Sequence, residues 1–250
     1  MIESEIGTLS GNVIAQTDPA ADTETLVETI EVPYDITVKE INVVFANVVD
    51  AKAMTGYIEI KPSSGESPFR FPVGFGTGGA ATAPVRNKCT FDVNIPFDAN
   101  ETIQLYATMN ENTVGMWIGL KYVRGKSGKT TYGDCNTAED AAVTADTLTA
   151  FSTITIPPKK GGTIKQILVS YGNVVNAKAA SGYVQLDFGS SKGRQRYPIG
   201  GGSGGATNTQ GYCSPIIVDT NIPIDAKEQI VPSLYLAEAA VDAHVGIIWE

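Results

Sequence analysis

The sequence predicts an all-β chain made of two tandem, sequence-similar antiparallel β-sandwiches of jelly-roll type. Two observations carry that prediction. One is an internal duplication that brings ordered blocks of residues back 126 or 127 positions later. The other is a run of short Val-, Ile-, Thr- and Tyr-rich segments, punctuated by Gly, Pro, Asn and Asp, with almost no helical periodicity.

The duplication is clearest in the segment from Asn47 to Tyr57, which returns as Asn173 to Tyr183, 126 positions on. Val38 to Ile41 matches Ile164 to Ile167, and Phe71-Pro72-Val73-Gly74 matches Tyr197-Pro198-Ile199-Gly200 at the same spacing. Asn94 to Ile103 (NIPFDANETI) returns as Asn221 to Ile230 (NIPIDAKEQI), now 127 positions on, so a small insertion lies between the blocks. A period this long exceeds a solenoid unit and suits a whole domain. The predicted division is an N-terminal arm over 1–24, a first sandwich over 25–124, a linker over 125–146 and a second sandwich over 147–250. The linker is polar and rich in Gly, Ser, Thr and Asp. It also aligns with the stretch ahead of the first copy, as a lead-in to the second copy would.

Within the first copy, strands are predicted over Leu26–Val32, Ile36–Phe45, Tyr57–Lys61, Thr90–Ile95, Ile103–Tyr106 and Met116–Tyr122, where apolar and polar residues alternate or β-branched residues cluster. The only stretches that could make helical turns are Ala138 to Asp146 and Ala237 to Ala243. The long Gly-rich crossing from Pro72 to Lys88 favours a jelly roll over an immunoglobulin-type sandwich, which would also show a Cys…Trp…Cys core.

Composition removes most chemistries. The 250 residues carry 18 Lys+Arg against 27 Asp+Glu, a net charge of −9, which disfavours nucleic-acid binding and docking on an anionic membrane. No apolar run reaches the ~20 residues that cross a bilayer as a helix. Glu3 and Glu5 stand where a signal peptide places positive charge, so the expectation is synthesis and use in the cytoplasm. The single histidine, His244, leaves no Ser/His, Cys/His or multi-His site within one chain. Three cysteines, Cys89, Cys135 and Cys213, make no disulfide framework.

Gly74 to Gly79 and Gly200 to Gly205 both fit G-x-G-x-x-G, but neither leads into a helix that could hold a pyrophosphate. They are read as tight or flexible loops, and Gly74, Gly76, Gly79, Gly200, Gly202 and Gly205 as candidates for close packing at a subunit interface. Gly125-Lys126-Ser127 and Gly128-Lys129-Thr130 lack the leading glycine of a P-loop. Asp98 and Glu101, with their repeat mates Asp225 and Glu228, fall in D-A-x-E turns. They read first as turn architecture, with calcium ligation as the weaker alternative. No catalytic residue, cofactor or firm metal site is assigned. Tyr57, Tyr183, Trp117 and Trp249 are read as sheet-packing residues.

Two such sandwiches in one acidic, nearly histidine-free chain resemble the double jelly-roll major capsid proteins of icosahedral viruses, over about residues 20–250. The copies are more alike than is common in that family, and the chain has no large loop insertions. The resemblance implies a structural virion subunit that forms pseudo-hexameric trimers and a higher-order shell, assembled in the host cytoplasm. Its implied partners are itself and minor capsid proteins, without direct nucleic-acid contact or membrane insertion. Two other readings stay open: a cell-surface or extracellular filament subunit whose residues 1–24 complete a neighbour's sheet, and a tandem carbohydrate-binding, lectin-like module.

Overall fold

A computed structural model describes residues 10–48, 54–78, 83–86, 88–110, 112–135, 143–174, 179–189, 192–202 and 215–250. Among these residues there is no helix. The first half holds β1 (Ser10–Thr17), β2 (Thr25–Glu31), β3 (Ile36–Val48), β4 (Met54–Pro62), β5 (Phe69–Gly78), β6 (Ala83–Arg86), β7 (Lys88–Phe97), β8 (Thr102–Met109) and β9 (Thr113–Arg124). The second half holds β10 (Tyr132–Cys135), β11 (Thr147–Ala150), β12 (Ile154–Thr155), β13 (Gly162–Val174), β14 (Ala179–Asp187), β15 (Arg194–Gly202), β16 (Ile216–Ile224), β17 (Gln229–Leu236) and β18 (Ala240–Trp249).

Four antiparallel sheets result. The first runs β1-β9-β3-β7 and the second β2-β8-β4-β5-β6; the third runs β10-β18-β13-β16 and the fourth β11-β17-β14-β15, with β12 also on β17. Apart from β6, the third sheet takes its strands in the order of the first, and the fourth in the order of the second. Alternation along each strand explains the two cores. In β7, residues Cys89, Phe91, Val93, Ile95 and Phe97 face inward between exposed or half-buried neighbours. They meet Ile58, Ile60, Phe69 and Phe71 from the opposing sheet in the first core. In the second, Ile164, Ile167 and Val169 meet Val184, Leu186 and Leu234.

Local irregularities coincide as well. The ladder slips between Val38 and Glu40 in β3, and again between Ile164 and Gln166 in β13, which are repeat-equivalent positions. Such a bulge bends a strand and re-aims one side chain. Here the residues in question are Lys39, which reaches Asn94, and Lys165, whose Nζ donates to Asn221 Oδ1 at 3.2 Å.

Four local expectations are revised. Residues 10–17 of the N-terminal arm form β1, paired with β9 of their own chain, and the linker contributes β10, the edge strand of the third sheet. Ala240 to Ala243 lie in β18 rather than in a helical turn, because pairing with β13 satisfies their backbone. The glycine run from Gly74 to Gly78 is strand, not loop: it pairs with β4 and then with β6. Gly200 and Gly202 likewise pair with β14. In each case a neighbouring strand overrides weak intrinsic β-propensity.

Candidate functional site

The D-A-x-E turns hold the acids that the sequence singles out. In the first, Glu101 Oε2 accepts from the backbone N–H of Asp98 at 3.0 Å and Oε1 from that of Ser64 at 3.2 Å, while Lys126 pairs with Asp98. In the second, Glu228 Oε2 accepts from the N–H of Asp225 at 2.8 Å, and Lys192 reaches both Asp225 at 3.0 Å and Glu228 at 2.7 Å. Asn100 and Lys227, one turn position apart from these acids in each copy, take left-handed φ values of 67° and 65°. The carboxylates thus lock their own turns and carry lysine counter-charges. Asp98, Glu101 and Lys126 also line a shallow cavity of about 130 Å³ with Pro62, Glu66 and Tyr132. Among the described residues no group of three or more His, Cys, Asp and Glu gathers to hold a metal ion.

The glycine candidates part company. Gly74 is buried, and its carbonyl accepts from the Cys89 thiol at 3.6 Å. Gly200, its repeat mate, has nothing within 4 Å of the place where a Cβ would sit. Gly76 and Gly202 lie in strands β5 and β15, whereas Gly79 and Gly205 lie outside the described residues, as does Cys213. Cys89 and Cys135 are free and buried; burial pushes the Cys89 thiol up to about 12 and Cys135 well above its ordinary value. Thiols so raised are poor nucleophiles.

The built region that sequence reasoning missed is the junction between the two sandwiches. The outer side of the third sheet lies on strands β4 and β5 of the second. Ser170 Oγ donates to Val73 O at 2.9 Å, and the His244 ring lies 6.2 Å from that of Tyr57. Gly246 brings its backbone so close to Pro72 that a Cβ there would stand 2.6 Å from the proline Cγ. Gly133 makes the same kind of approach to Phe71, at 2.8 Å. Leu168 and Ile248 of the third sheet join the first core, so the junction is apolar at its centre. Its rim is charged: Arg70 Nη1 stands 3.6 Å from Asp134 Oδ1.

Burial in this junction sets the chemistry of its ionisable groups. His244 is 7% exposed with no partner on Nδ1, and desolvation pushes its imidazole down to about 4. Desolvation pushes the Asp134 carboxyl up to about 6, against the pull of Arg70. Nothing here pairs a nucleophile with a base.

Among the described residues, the other two outer faces carry exposed apolar side chains. On the first sheet Ile14 is 66% and Trp117 42% exposed. Ile14 pairs with Gly119, and Gln16 with Trp117, so the two apolar side chains lie on one face around that glycine. On the fourth sheet Leu148, Tyr235, Tyr183 and Pro198 form one cross-strand row. The rings of Tyr183 and Tyr235 stack at 5.0 Å, with the Arg196 guanidinium 5.1 Å above Tyr183.

No family model and no curated protein matches the chain. Among solved structures, A223, a turret protein in Sulfolobus turreted icosahedral virus, is 10% identical over 95% of this chain and 97% of its own, with a TM-score of 0.24. The stem and receptor binding domain of the spike protein P1 from bacteriophage PM2 is 9% identical over 92% of this chain and 98% of its own, with a TM-score of 0.23. Scores this low do not establish a shared fold.

Proposed function

We propose that this chain is a structural, self-assembling protein without a catalytic step, a virion capsid subunit whose trimers form six-lobed, pseudo-hexameric tiles. In this reading each sandwich is a jelly roll and the two are copies of one ancestral domain. One observation carries it: β1-β9-β3-β7 facing β2-β8-β4-β5 is the order that two interlocked Greek keys give to eight strands, and the second half takes its strands in the same order. Two similar lobes per chain let threefold symmetry imitate sixfold. The partners are further copies of the chain and minor capsid proteins, assembled in the host cytoplasm. A net charge of −9 supports a shell that faces minor proteins or a lipid layer rather than naked genome, without inserting into a membrane.

Light scattering on the purified chain, with negative-stain images of the same peak, tests this. The expected result is a trimer near three times 26.4 kDa with six-lobed views, or larger tiles and shells. A monomer at micromolar concentration, indifferent to calcium, overturns it and favours the carbohydrate-binding reading. Open fibres favour the filament subunit.

A further inference from the structure

We propose that the outer face of the first sheet of one chain docks head to tail on the outer face of the fourth sheet of a second copy. That contact repeats between chains the junction that joins the two sandwiches within a chain. It rests on and deepens the capsid reading, whose six-lobed trimer is this contact closed into a ring of three; the same contact without closure gives a filament.

Within the chain, the second sheet offers Thr55, Tyr57, Pro72 and Gly74 to the third, and all four are buried. Their equivalents on the fourth sheet, 126 positions on, are Ser181, Tyr183, Pro198 and Gly200. The residue types are kept, yet Ser181, Pro198 and Gly200 are exposed and Tyr183 half-exposed. A face that is buried in one copy is therefore present, almost unchanged and uncovered, in the other. Leu148, 38% exposed and in the same cross-strand row, adds an apolar anchor to that uncovered face.

The complementary side repeats too. Gly246, against which Pro72 packs, corresponds to Gly119, and Pro72 itself to Pro198, so both halves of the proline-on-glycine fit persist. His244, which meets Tyr57, corresponds to Trp117, and Tyr57 to Tyr183. Cys135 pairs with Gly246 as Ile14 pairs with Gly119. The buried pair His244 and Cys135 is thus replaced by the larger, exposed pair Trp117 and Ile14, which is the change expected where anchors must hold two separate chains. The two apolar residues at the centre of the internal junction, Leu168 and Ile248, become Asn42 and Lys121, both of which bond Glu40. The contact between chains therefore has a polar centre flanked by Trp117 and Ile14, and is weaker than the one within.

The two faces differ, so the contact is heterologous, and successive chains add in one direction until a ring closes or a row grows. Leu148 and Tyr235, in the row with Tyr183, widen the receiving face beyond the one in the first half, where Thr108 stands at the position of Tyr235.

Directed cross-linking of the full chain decides it. Gly119→Cys and Pro198→Cys are prepared separately, mixed and mildly oxidised, with the wild type as control for the native cysteines. Cysteine at 198 vacates the ring that would clash with a side chain at 119. The expected result is a covalent dimer in the mixture, in several-fold excess over either variant alone. Dimers from one variant alone at the same yield would mean like-on-like contacts and overturn the proposal. No cross-link, at concentrations where light scattering shows oligomers, overturns it as well. In parallel, Trp117→Arg is expected to lower the scattering mass and Trp117→Phe to preserve it; an unchanged mass in Trp117→Arg, with unchanged thermal unfolding, sinks the assignment of that face.

Discussion

Arg70 donates from Nε to Glu59 Oε1 at 2.7 Å, across the paired strands β4 and β5. Glu59 is buried, with Lys61 Nζ 3.0 Å from its other oxygen. The repeat supplies an internal comparison: Arg196 donates from Nε to Gln185 Oε1, also at 2.7 Å. The geometry therefore does not need the carboxylate charge, but a buried carboxylate needs its cation. Glu59→Gln is expected to cost about 1 kcal/mol, whereas Arg70→Ala leaves the buried carboxylate with Lys61 alone and costs about 2–3 kcal/mol. Urea unfolding of both variants checks this, and equal losses would refute the distinction.

Gly56 and Gly182 are repeat mates that allow two strands to approach beyond what a side chain permits. A Cβ on Gly56 would lie 2.1 Å from the carbonyl oxygen of Thr108, and one on Gly182 would lie 1.8 Å from that of Tyr235. Backbone atoms inside a sheet cannot yield as a flexible side chain can. Either glycine changed to alanine is expected to destabilise the chain by about 3 kcal/mol or more. Thermal unfolding of each variant beside wild type checks this, and unchanged midpoints would refute it.

Much of this fold was legible in alternation and repetition, because a strand with one buried face must write a period of two into its sequence. Every strand read from the first copy is present, its ends shifted by a few residues. β1 and β10 were missed: Ser10–Thr17 and Tyr132–Cys135 are short edge strands whose polar residues and glycines resemble those of loops. The glycine runs were misread for a related reason, since weak β-formers become strand only when a partner is already in place. The junction was legible only in retrospect. Alternation put His244 and Trp117 on the outside of their sheets, but which outer face is covered depends on how two domains meet. A residue preserved on both copies' outer faces, such as Pro72 with Pro198, was the available signal.

The pH response of the junction follows from two opposed titrations. His244 titrates at 6.5 when unfolded and at about 4 when folded, so its contribution is intact above 6.5 and is lost as pH falls towards 4, about 3 kcal/mol in all. Asp134 goes from 3.8 unfolded to about 6 folded, so its ionisation costs stability above 6. That cost is relieved as pH falls from 6 towards 3.8, by at most about 3 kcal/mol, because the carboxylate is 28% exposed and faces Arg70. The two slopes nearly cancel. Relative to wild type, Asp134→Asn is expected to lose stability more steeply between neutral pH and pH about 5, and His244→Gln to lose it less. Urea midpoints across that range check the signs, and parallel curves for all three proteins would refute the account.

Cys135 reports on the same junction without any change to its charge. Its thiol is buried beside Gly246 and Pro72, whereas Cys89 sits in the core of the first sandwich. A thiol reagent can reach either only when the chain opens locally. In Gly246→Val the added side chain has to displace the Pro72 ring, which now lies within 2.6 Å of the Cβ position, and must also push on Cys135 Cβ at 3.0 Å. The third sheet is then wedged off β4 and β5, taking Leu168 and Ile248 with it, while Cys89 on β7 stays packed inside the first sandwich. Labelling followed by peptide mapping is expected to show Cys135 modified much faster in Gly246→Val than in wild type, with the Cys89 rate unchanged. If both rates rise together, the two sandwiches open as one unit and the junction is not a separable contact.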